Sequence, residues 1–302
     1  MSAATTDFEI TFPEARAFAP VETDMMKEIM GTTMAHQPGG GMSMWYGKGG
    51  IGKTTTAVLL TQKIEAAFRR DPANPRAFLA THFQVGDISA GSGNEQKQGL
   101  KSLYTATLGP IDDGDYRRLP AEQIAADMVY GWRRLRLKMI FIDEAGCLCL
   151  EAIRGMVLAR DVGEKQGWTV SLIFIGMDDL PRKLRQLPQI RRRTHHWCYF
   201  EAYSFEETWK LLRKLHPYFA TLNESNKDHQ AQIRFLHDTY GGYPGLLMPI
   251  IDELDYLLRV KRPQVTEQYL RTVHYMMVHG EEKALADSKG LSGSSKTKRG
   301  SR

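Results

Sequence analysis

Short runs of apolar residues alternate along the first 200 residues with segments whose apolar positions recur every three or four residues. The short runs are bounded by turn-forming residues and predict strands at 42–46, 76–83, 139–143, 168–176 and 196–200. The segments with helical spacing predict helices at 23–36, 54–70, 95–108, 121–137 and 148–166. Because strands and helices alternate, we predict an α/β fold with a parallel five-stranded sheet covered by helices.

The pattern changes after about residue 200, where every periodic segment is helical. Ser204 and Glu207 have the spacing of a capping box at a helix start, and GGYPG (241–245) precedes a helix rich in leucine and isoleucine. The sequence therefore predicts four parts, which are a lead-in (1–40), an α/β domain (41–202), a small all-helical lid (203–280) and a disordered basic tail (281–302).

The composition narrows the class of protein without defining its function. Of the 302 residues, 42% are hydrophobic and 25% are charged, which is ordinary for a globular protein. No apolar run reaches the roughly 18 residues that a membrane span needs, and the first residues lack the features of a secretory signal. Three cysteines indicate a reducing compartment, so we expect a cytoplasmic protein in which Cys147 and Cys149 pack in the core.

The stretch GKGGIGKT (47–54) has the spacing of a phosphate-binding loop, GxxxxGK followed by Thr. Glycines let backbone N–H groups curl around phosphates, and the helix that follows directs its positive dipole end at the same anion. We expect Lys53 to reach the β- and γ-phosphates of ATP and Thr54 to bind Mg²⁺. The predicted nucleotide-binding residues of the loop are Gly47, Lys48, Gly49, Gly50, Ile51, Gly52, Lys53, Thr54 and Thr55.

A second acidic motif follows the apolar strand MIFID (139–143). A carboxylate at the end of this strand would lie at the same sheet edge as the phosphate loop, so Asp143 is predicted to hold Mg²⁺ together with Thr54. Glu144 comes next and is predicted to orient and deprotonate an attacking water. The predicted chemistry is Mg²⁺-dependent ATP hydrolysis.

The order of these motifs resembles that of the AAA+ ATPases: phosphate loop, an extra strand, an apolar strand ending in Asp-Glu, a fourth strand and a helical lid. The resemblance implies a catalytic or sensor residue after the fourth strand, and Asp178 is the candidate, with Asp179 second. It also implies a nucleotide contact from the lid, which we assign to Pro244 of GGYPG. Finally, it implies an arginine that acts on a neighbouring subunit's nucleotide, and the candidates are Arg191, Arg192 and Arg193.

Within that class, FIGMDDLPRKLRQLPQIRRR (174–193) resembles a segment of the ATPase subunits of bacterial DNA transposons, the group that contains Mu B, IstB, TniB and TnsC. The resemblance covers about residues 20–260. It implies a bacterial, DNA-binding regulator of transposition and DNA recombination that oligomerises as a filament or ring on duplex DNA. Such a protein selects a target site and works with a transposase and a target-selector protein.

Three other classes remain open. The loop KGGIGKTTT (48–56) also resembles that of the ParA-like partition ATPases, in which the lysine at the position of Lys48 reaches across a dimer. The same loop and the Gly-x-Pro element resemble STAND-type signalling switches. A helicase loader or origin-binding AAA+ ATPase is the nearest alternative. Because the partition ATPases resemble this chain in the loop alone, we expect no cross-dimer role for Lys48.

A DNA-binding protein of this kind would contact the phosphate backbone, which needs lysine and arginine side chains. The net charge of +5 agrees mildly with a polyanionic partner. Lys97 and Lys101 are one turn apart on a predicted helix, and YRRLP (116–120) supplies two further cations. The predicted DNA contacts are Lys97, Lys101, Arg117 and Arg118.

Overall fold

The computed structural model describes residues 21–36, 40–74, 76–86, 94–109, 119–261 and 264–278. Within them, the strands are β1 (Met42–Tyr46), β2 (Leu79–Gln84), β3 (Leu137–Asp143), β4 (Ser171–Gly176) and β5 (Thr194–Tyr199). All neighbouring strands are parallel, and their order across the sheet is β2-β3-β4-β1-β5. The predicted parallel five-stranded sheet is therefore confirmed.

Helices precede, separate and follow these strands. They are α1 (Asp24–His36), α2 (Lys53–Arg70), α3 (Glu95–Thr107), α4 (Ala121–Leu135), α5 (Leu150–Lys165), α6 (Leu180–Leu184), α7 (Pro188–Arg193), α8 (Phe205–Leu215), α9 (Pro217–Ala220), α10 (Lys227–Tyr240) and α11 (Pro244–Lys261). A further helical stretch covers 267–278. In the described part of the chain, no helix is long and apolar enough to cross a membrane.

Some predicted boundaries were wrong by a few residues. The helix predicted over 121–137 ends at Leu135, because Arg136 has a left-handed backbone with φ of 58° and Leu137 already begins β3. The strand predicted from residue 168 begins at Ser171. Apolar side chains at a helix end and at a strand start look alike in sequence, so periodicity alone does not separate them.

The sheet is the middle layer between two apolar clusters. Side chains of β3 alternate between them, since Ile140 and Ile142 face the cluster with α3, α4 and α5, whereas Met139 and Phe141 face the cluster with α1 and α2. All four are fully buried. Burial on both faces explains why β3 is a continuous apolar run, as is usual for parallel strands.

Helices α3 and α5 cross at a distance that only glycine permits. A Cβ atom at Gly99 of α3 would lie 2.0 Å from the carbonyl oxygen of Ala152, and one at Gly155 of α5 would lie 2.0 Å from that of Gln96. The two glycines therefore allow α3 to pack directly against the main chain of α5. Helix α3 carries two of the predicted DNA contacts, Lys97 and Lys101.

The helices after β5 enclose a third apolar cluster of their own. The capping box predicted at the start of α8 is confirmed, because the Glu207 N–H donates to Ser204 Oγ at 3.2 Å and the Ser204 N–H donates to Glu207 Oε2 at 2.9 Å. A division into domains at 41–202 and 203–280 agrees with this separate cluster and stays a proposal. The predicted tail, 281–302, and residues 1–20 of the predicted lead-in lie outside the described residues.

Candidate nucleotide-binding site

The glycine-rich loop lies between β1 and α2 and has a backbone that requires glycine. Gly47 and Gly52 have φ of 153° and 103°, and a Cβ atom at Gly47 would lie 2.7 Å from the carbonyl oxygen of Phe200. Helix α2 begins at Lys53, directly after the loop. The first turn of a helix has unpaired N–H groups and the positive end of the dipole, which together suit a bound anion.

Lys53 is buried beneath this loop. Its Nζ donates to the carbonyl oxygens of Gly47 at 2.7 Å and Lys48 at 2.8 Å. Burial lowers the pKa of the Lys53 ammonium, although the nearby carboxylates, led by Asp143 and Glu144, act in the opposite direction. A cation that is partly removed from water at the start of a helix is suited to pair with phosphate oxygens.

Asp143 at the end of β3 accepts three hydrogen bonds. Its Oδ2 accepts one from Thr54 Oγ1 at 2.6 Å and contacts His82 Nε2 at 3.2 Å, and its Oδ1 accepts one from the Glu144 N–H at 2.9 Å. Burial alone would raise the pKa of the Asp143 carboxyl, but the hydrogen bonds from His82, Thr54 and Glu144 hold it below its usual value. The carboxylate and the hydroxyl are the hard oxygen ligands that Mg²⁺ prefers, so this pair fits the ion.

His82 is a site residue that the sequence prediction missed. It lies on β2, where the register pairs it with Phe141 of β3, and its side chain is 17% exposed. The available signal was a polar residue inside an apolar strand. Its contact with Asp143 depends on the pairing of β2 with β3, which the motif itself does not specify.

Glu144 adopts a left-handed backbone, with φ of 55°. A residue with a side chain rarely holds this conformation unless its surroundings enforce it, and such strain is concentrated at functional sites. Here the hydrogen bond from its own N–H to Asp143 helps to fix the turn. Glu144 is partly exposed and lines the same cavity as Lys53 and Thr54.

That cavity has a volume of about 380 Å³ and a lining of two chemical kinds. Its polar lining comes from loop residues together with Asp143 and Glu144. Its apolar lining comes from Val21, Met26, Tyr203, Leu211, Leu215, Pro244 and Met248. Pro244 thus reaches the cavity from α11, and its predicted contact with a nucleotide stays a prediction.

The aspartates after β4 lie outside the cavity lining, which includes their neighbour Met177. Asp178 and Asp179 are both exposed in the turn before α6. The charge of Asp178 nevertheless acts on both lysines, because it helps to raise the pKa of Lys48 and partly offsets the lowering of the Lys53 pKa by burial. Asp179 is the N-cap residue of α6, and its side chain accepts no capping hydrogen bond.

The three predicted trans-acting arginines lie on α7 and differ in their surroundings. Arg193 donates from Nη1 to both carboxylate oxygens of Asp161 at 2.5 Å. Asp161 also accepts a hydrogen bond from the buried Arg160, at 3.1 Å. Arg191 and Arg192 are exposed. Arg193 is therefore engaged within its own chain, whereas its two neighbours face outwards.

The remaining predicted contacts have mixed outcomes. Lys97 and Lys101 lie on α3 and are partly exposed, while Arg117 and Arg118 lie outside the described residues.

The expectation that Cys147 packs in the core was wrong, because this side chain is exposed in the turn after β3. Within the described ranges, no group of three or more histidine, cysteine or acidic side chains could hold a metal ion.

A parallel α/β sheet with a glycine-rich loop after its first strand, an Asp-Glu pair at the end of its third and a covering set of helices is the arrangement of the P-loop NTPase fold. No family model matches this sequence, and no curated protein matches it either. Solved structures do match its fold.

The ORC2 protein of Aeropyrum pernix, solved as ADPNP–ADP complexes, aligns with a TM-score of 0.60 and 17% identity over 86% of this chain and 70% of that chain. The ORC1 protein of Aeropyrum pernix in complex with DNA aligns with a TM-score of 0.57 and 15% identity over 86% and 67%. Domain III of the replication initiation protein DnaA from Thermotoga maritima aligns with a TM-score of 0.51 and 13% identity over 84% and 92%. The chain has the AAA+ P-loop NTPase fold, and at these identities the likeness shows the fold alone.

Proposed function

We propose that this chain is a Mg²⁺-dependent ATPase that assembles on duplex DNA and marks a target site for a transposase. The observation that carries the ATPase part is that Lys53, Thr54, Asp143 and Glu144 line one cavity, in which Asp143 accepts hydrogen bonds from Thr54 Oγ1 and the Glu144 N–H. Nucleotide binding is further supported by the ADPNP–ADP complexes of the ORC2 protein, and DNA binding by the ORC1 protein solved with DNA. The transposition role rests on the resemblance of 174–193 to the transposon ATPases.

The site residues divide the chemistry among them. Lys53 and the loop N–H groups would bind the phosphates, and Thr54 and Asp143 would hold Mg²⁺, which neutralises phosphate charge. Glu144 would accept a proton from the water that attacks the γ-phosphorus, while the bond to the β-phosphate oxygen breaks and ADP leaves. The apolar residues that line the cavity, Pro244 among them, would receive the base.

The trans-acting arginine is proposed to be Arg191 or Arg192, because Arg193 is paired with Asp161. We expect the double variant Arg191→Ala with Arg192→Ala to bind nucleotide normally but to hydrolyse it at least about 100-fold more slowly. The reason is that the cation that stabilises the negative charge of the transition state is lost. Mixing the arginine variant with Glu144→Gln protein should restore part of the hydrolysis rate. In the mixture, a subunit with an intact Glu144 can receive the arginines of a neighbouring Glu144→Gln subunit. Phosphate release from the mixture measures this, and a mixture no faster than its components would contradict action in trans.

The DNA surface is proposed to include α3. Replacing Lys97 and Lys101 together by alanine should flatten the dependence of DNA affinity on salt, by about 1.8 in the slope of log K against log salt if both contact phosphates. Fluorescence anisotropy with a labelled duplex at several salt concentrations measures the slope. A matched control replaces Lys210 and Lys214, which have the same spacing and are exposed on α8. The control should leave the slope unchanged. An unchanged slope in the variant without Lys97 and Lys101 would mean that the DNA surface lies elsewhere.

The function as a whole is tested by negative-stain electron microscopy with duplex DNA and a slowly hydrolysed ATP analogue. We expect helical filaments or open rings on DNA of any sequence. Discrete dimers would favour the partition ATPases, and closed rings that form without DNA would favour a signalling switch.

A second candidate is an origin-binding or helicase-loading ATPase. It is favoured by the fold likeness to the ORC proteins and to domain III of DnaA. The two candidates differ in their use of DNA. Assemblies confined to one defined sequence would support the origin-type function, whereas assemblies that tolerate any duplex and bind a transposase would support the transposition function.

A further inference from the structure

Lys48 joins the phosphate loop to the C-terminal helices. Its Nζ lies 5.4 Å from the ring centroid of Tyr243, the residue directly before α11. A hydrogen bond with Tyr243 is the main reason that the pKa of Lys48 is raised, with smaller contributions from Tyr199 and Asp178. The lysine that resembles the cross-dimer residue of partition ATPases therefore has a partner in its own chain.

Lys48 is also connected to the predicted phosphate-binding lysine. Its carbonyl oxygen accepts a hydrogen bond from Lys53 Nζ at 2.8 Å. The main chain of Lys48 thus contacts Lys53, while its side chain contacts Tyr243. A shift of the Lys53 ammonium towards a phosphate would change one of the two contacts that place Lys48.

The start of α11 makes a second contact with the loop, through the main chain. The Gly245 N–H donates to the carbonyl oxygen of Gly50 at 2.7 Å. The approach is so close that a Cβ atom at Gly245 would lie 2.7 Å from Gly50 Cα. Pro244 lies between Tyr243 and Gly245 and lines the cavity, so both contacts flank a residue that faces the cavity.

We propose that Lys48 and Tyr243 are positioning residues that hold the start of α11 on the phosphate loop and so place Pro244 in the cavity. This inference rests on the proposed nucleotide binding. The segment GGYPGLL (241–247) has no arginine that could reach the phosphates from α11. The Lys48–Tyr243 contact and the Gly245–Gly50 hydrogen bond instead link the loop that holds the phosphates to these helices.

The first test needs no nucleotide and uses hydrogen–deuterium exchange of the amides at 245–247. Lys48→Met keeps the length of the side chain but removes its charge, and Tyr243→Leu removes the ring and hydroxyl. Each should speed exchange at the Gly245 amide by about threefold or more. The reason is that the Gly245 N–H donates to the Gly50 carbonyl oxygen, and the contact that holds the start of α11 beside that oxygen is weakened. Lys48→Arg should restore slow exchange, since arginine keeps a cation over the ring.

The matched control is Tyr130→Leu, the same substitution at a tyrosine that is 71% exposed on α4. It should leave exchange at 245–247 unchanged. Thermal unfolding of every variant is measured in parallel, so that a general loss of stability is recognised by faster exchange throughout the chain. Unchanged exchange at 245–247 in both Lys48→Met and Tyr243→Leu would overturn the proposal.

The second test measures dissociation of a fluorescent ADP by stopped flow. Lys48→Met and Tyr243→Leu should each speed dissociation about three- to tenfold, and the double variant should be no faster than the faster single variant, because the two residues act through one contact. Fully additive effects would mean that the residues act separately and would overturn the proposal. If the unmodified protein binds no nucleotide, the proposed function fails, while the exchange experiment still decides whether the contact holds α11.

Discussion

Lys53→Ala should abolish nucleotide binding and DNA assembly together. The Lys53 ammonium donates to two loop carbonyls and is partly removed from water. Because charge-assisted hydrogen bonds are strong where water is excluded, its pairing with phosphate oxygens at the loop would be strong. A charge-assisted hydrogen bond contributes about 1.5–3 kcal/mol, and the loss of two or more of them weakens nucleotide binding by about 100-fold or more. Titration with a fluorescent nucleotide measures the loss.

The DNA part of this prediction is measured by electron microscopy with duplex DNA and a slowly hydrolysed ATP analogue. Because assembly is proposed to need the nucleotide-bound protein, Lys53→Ala should form no filaments. The matched control is Lys63→Ala, which changes a lysine on the same helix whose Nζ lies 2.7 Å from Glu22 Oε1 in an ion pair at the surface. Filaments of Lys53→Ala that equal those of the unmodified protein would separate assembly from nucleotide binding and contradict the mechanism.

The fold was predictable where a feature depends on residues close together in sequence. The glycines of the loop, Lys53 and Thr54 form one local motif, and their spacing was enough to place them at the start of α2. The buried strands were equally clear, because a run such as MIFID must be covered on both faces. The boundary at Arg136 was missed because a single left-handed residue separates α4 from β3.

The unpredicted parts of the site are contacts between residues far apart in sequence. His82 reaches Asp143 from the neighbouring strand, and Arg193 pairs with Asp161 across two helices. Lys48 and Tyr243 are separated by most of the chain. No local spacing encodes such pairs, since they follow from the order of the strands and from the seating of α11 on the loop.

These long-range contacts change how individual residues are interpreted. Lys48 was expected to have no cross-dimer role, and its contact with Tyr243 supplies a role within the chain. The three arginines of α7 looked equivalent in sequence, but Arg193 differs from Arg191 and Arg192 because its Nη1 donates to both carboxylate oxygens of Asp161. The prediction for hydrolysis likewise depends on a contact within the site, the hydrogen bond that the Glu144 N–H donates to Asp143 Oδ1.

Glu144→Gln should retain nucleotide and stabilise DNA filaments while hydrolysis falls by about 100- to 10,000-fold, the range expected when a general base is lost. Binding should be kept because the left-handed turn at this residue is held by its own backbone N–H, which donates to Asp143 Oδ1 in either variant. An amide has the shape of the carboxylate, yet it accepts no proton from water.

Phosphate release measures the rate, nucleotide titration measures affinity, and the lifetime of filaments after dilution reports on the trapped ATP form. The control is Glu122→Gln, the same change at an exposed position in the first turn of α4. Normal hydrolysis by Glu144→Gln would remove Glu144 as the base. Slow hydrolysis with unstable filaments would show instead that ATP turnover does not drive disassembly, because filaments would then fall apart while their nucleotide is intact.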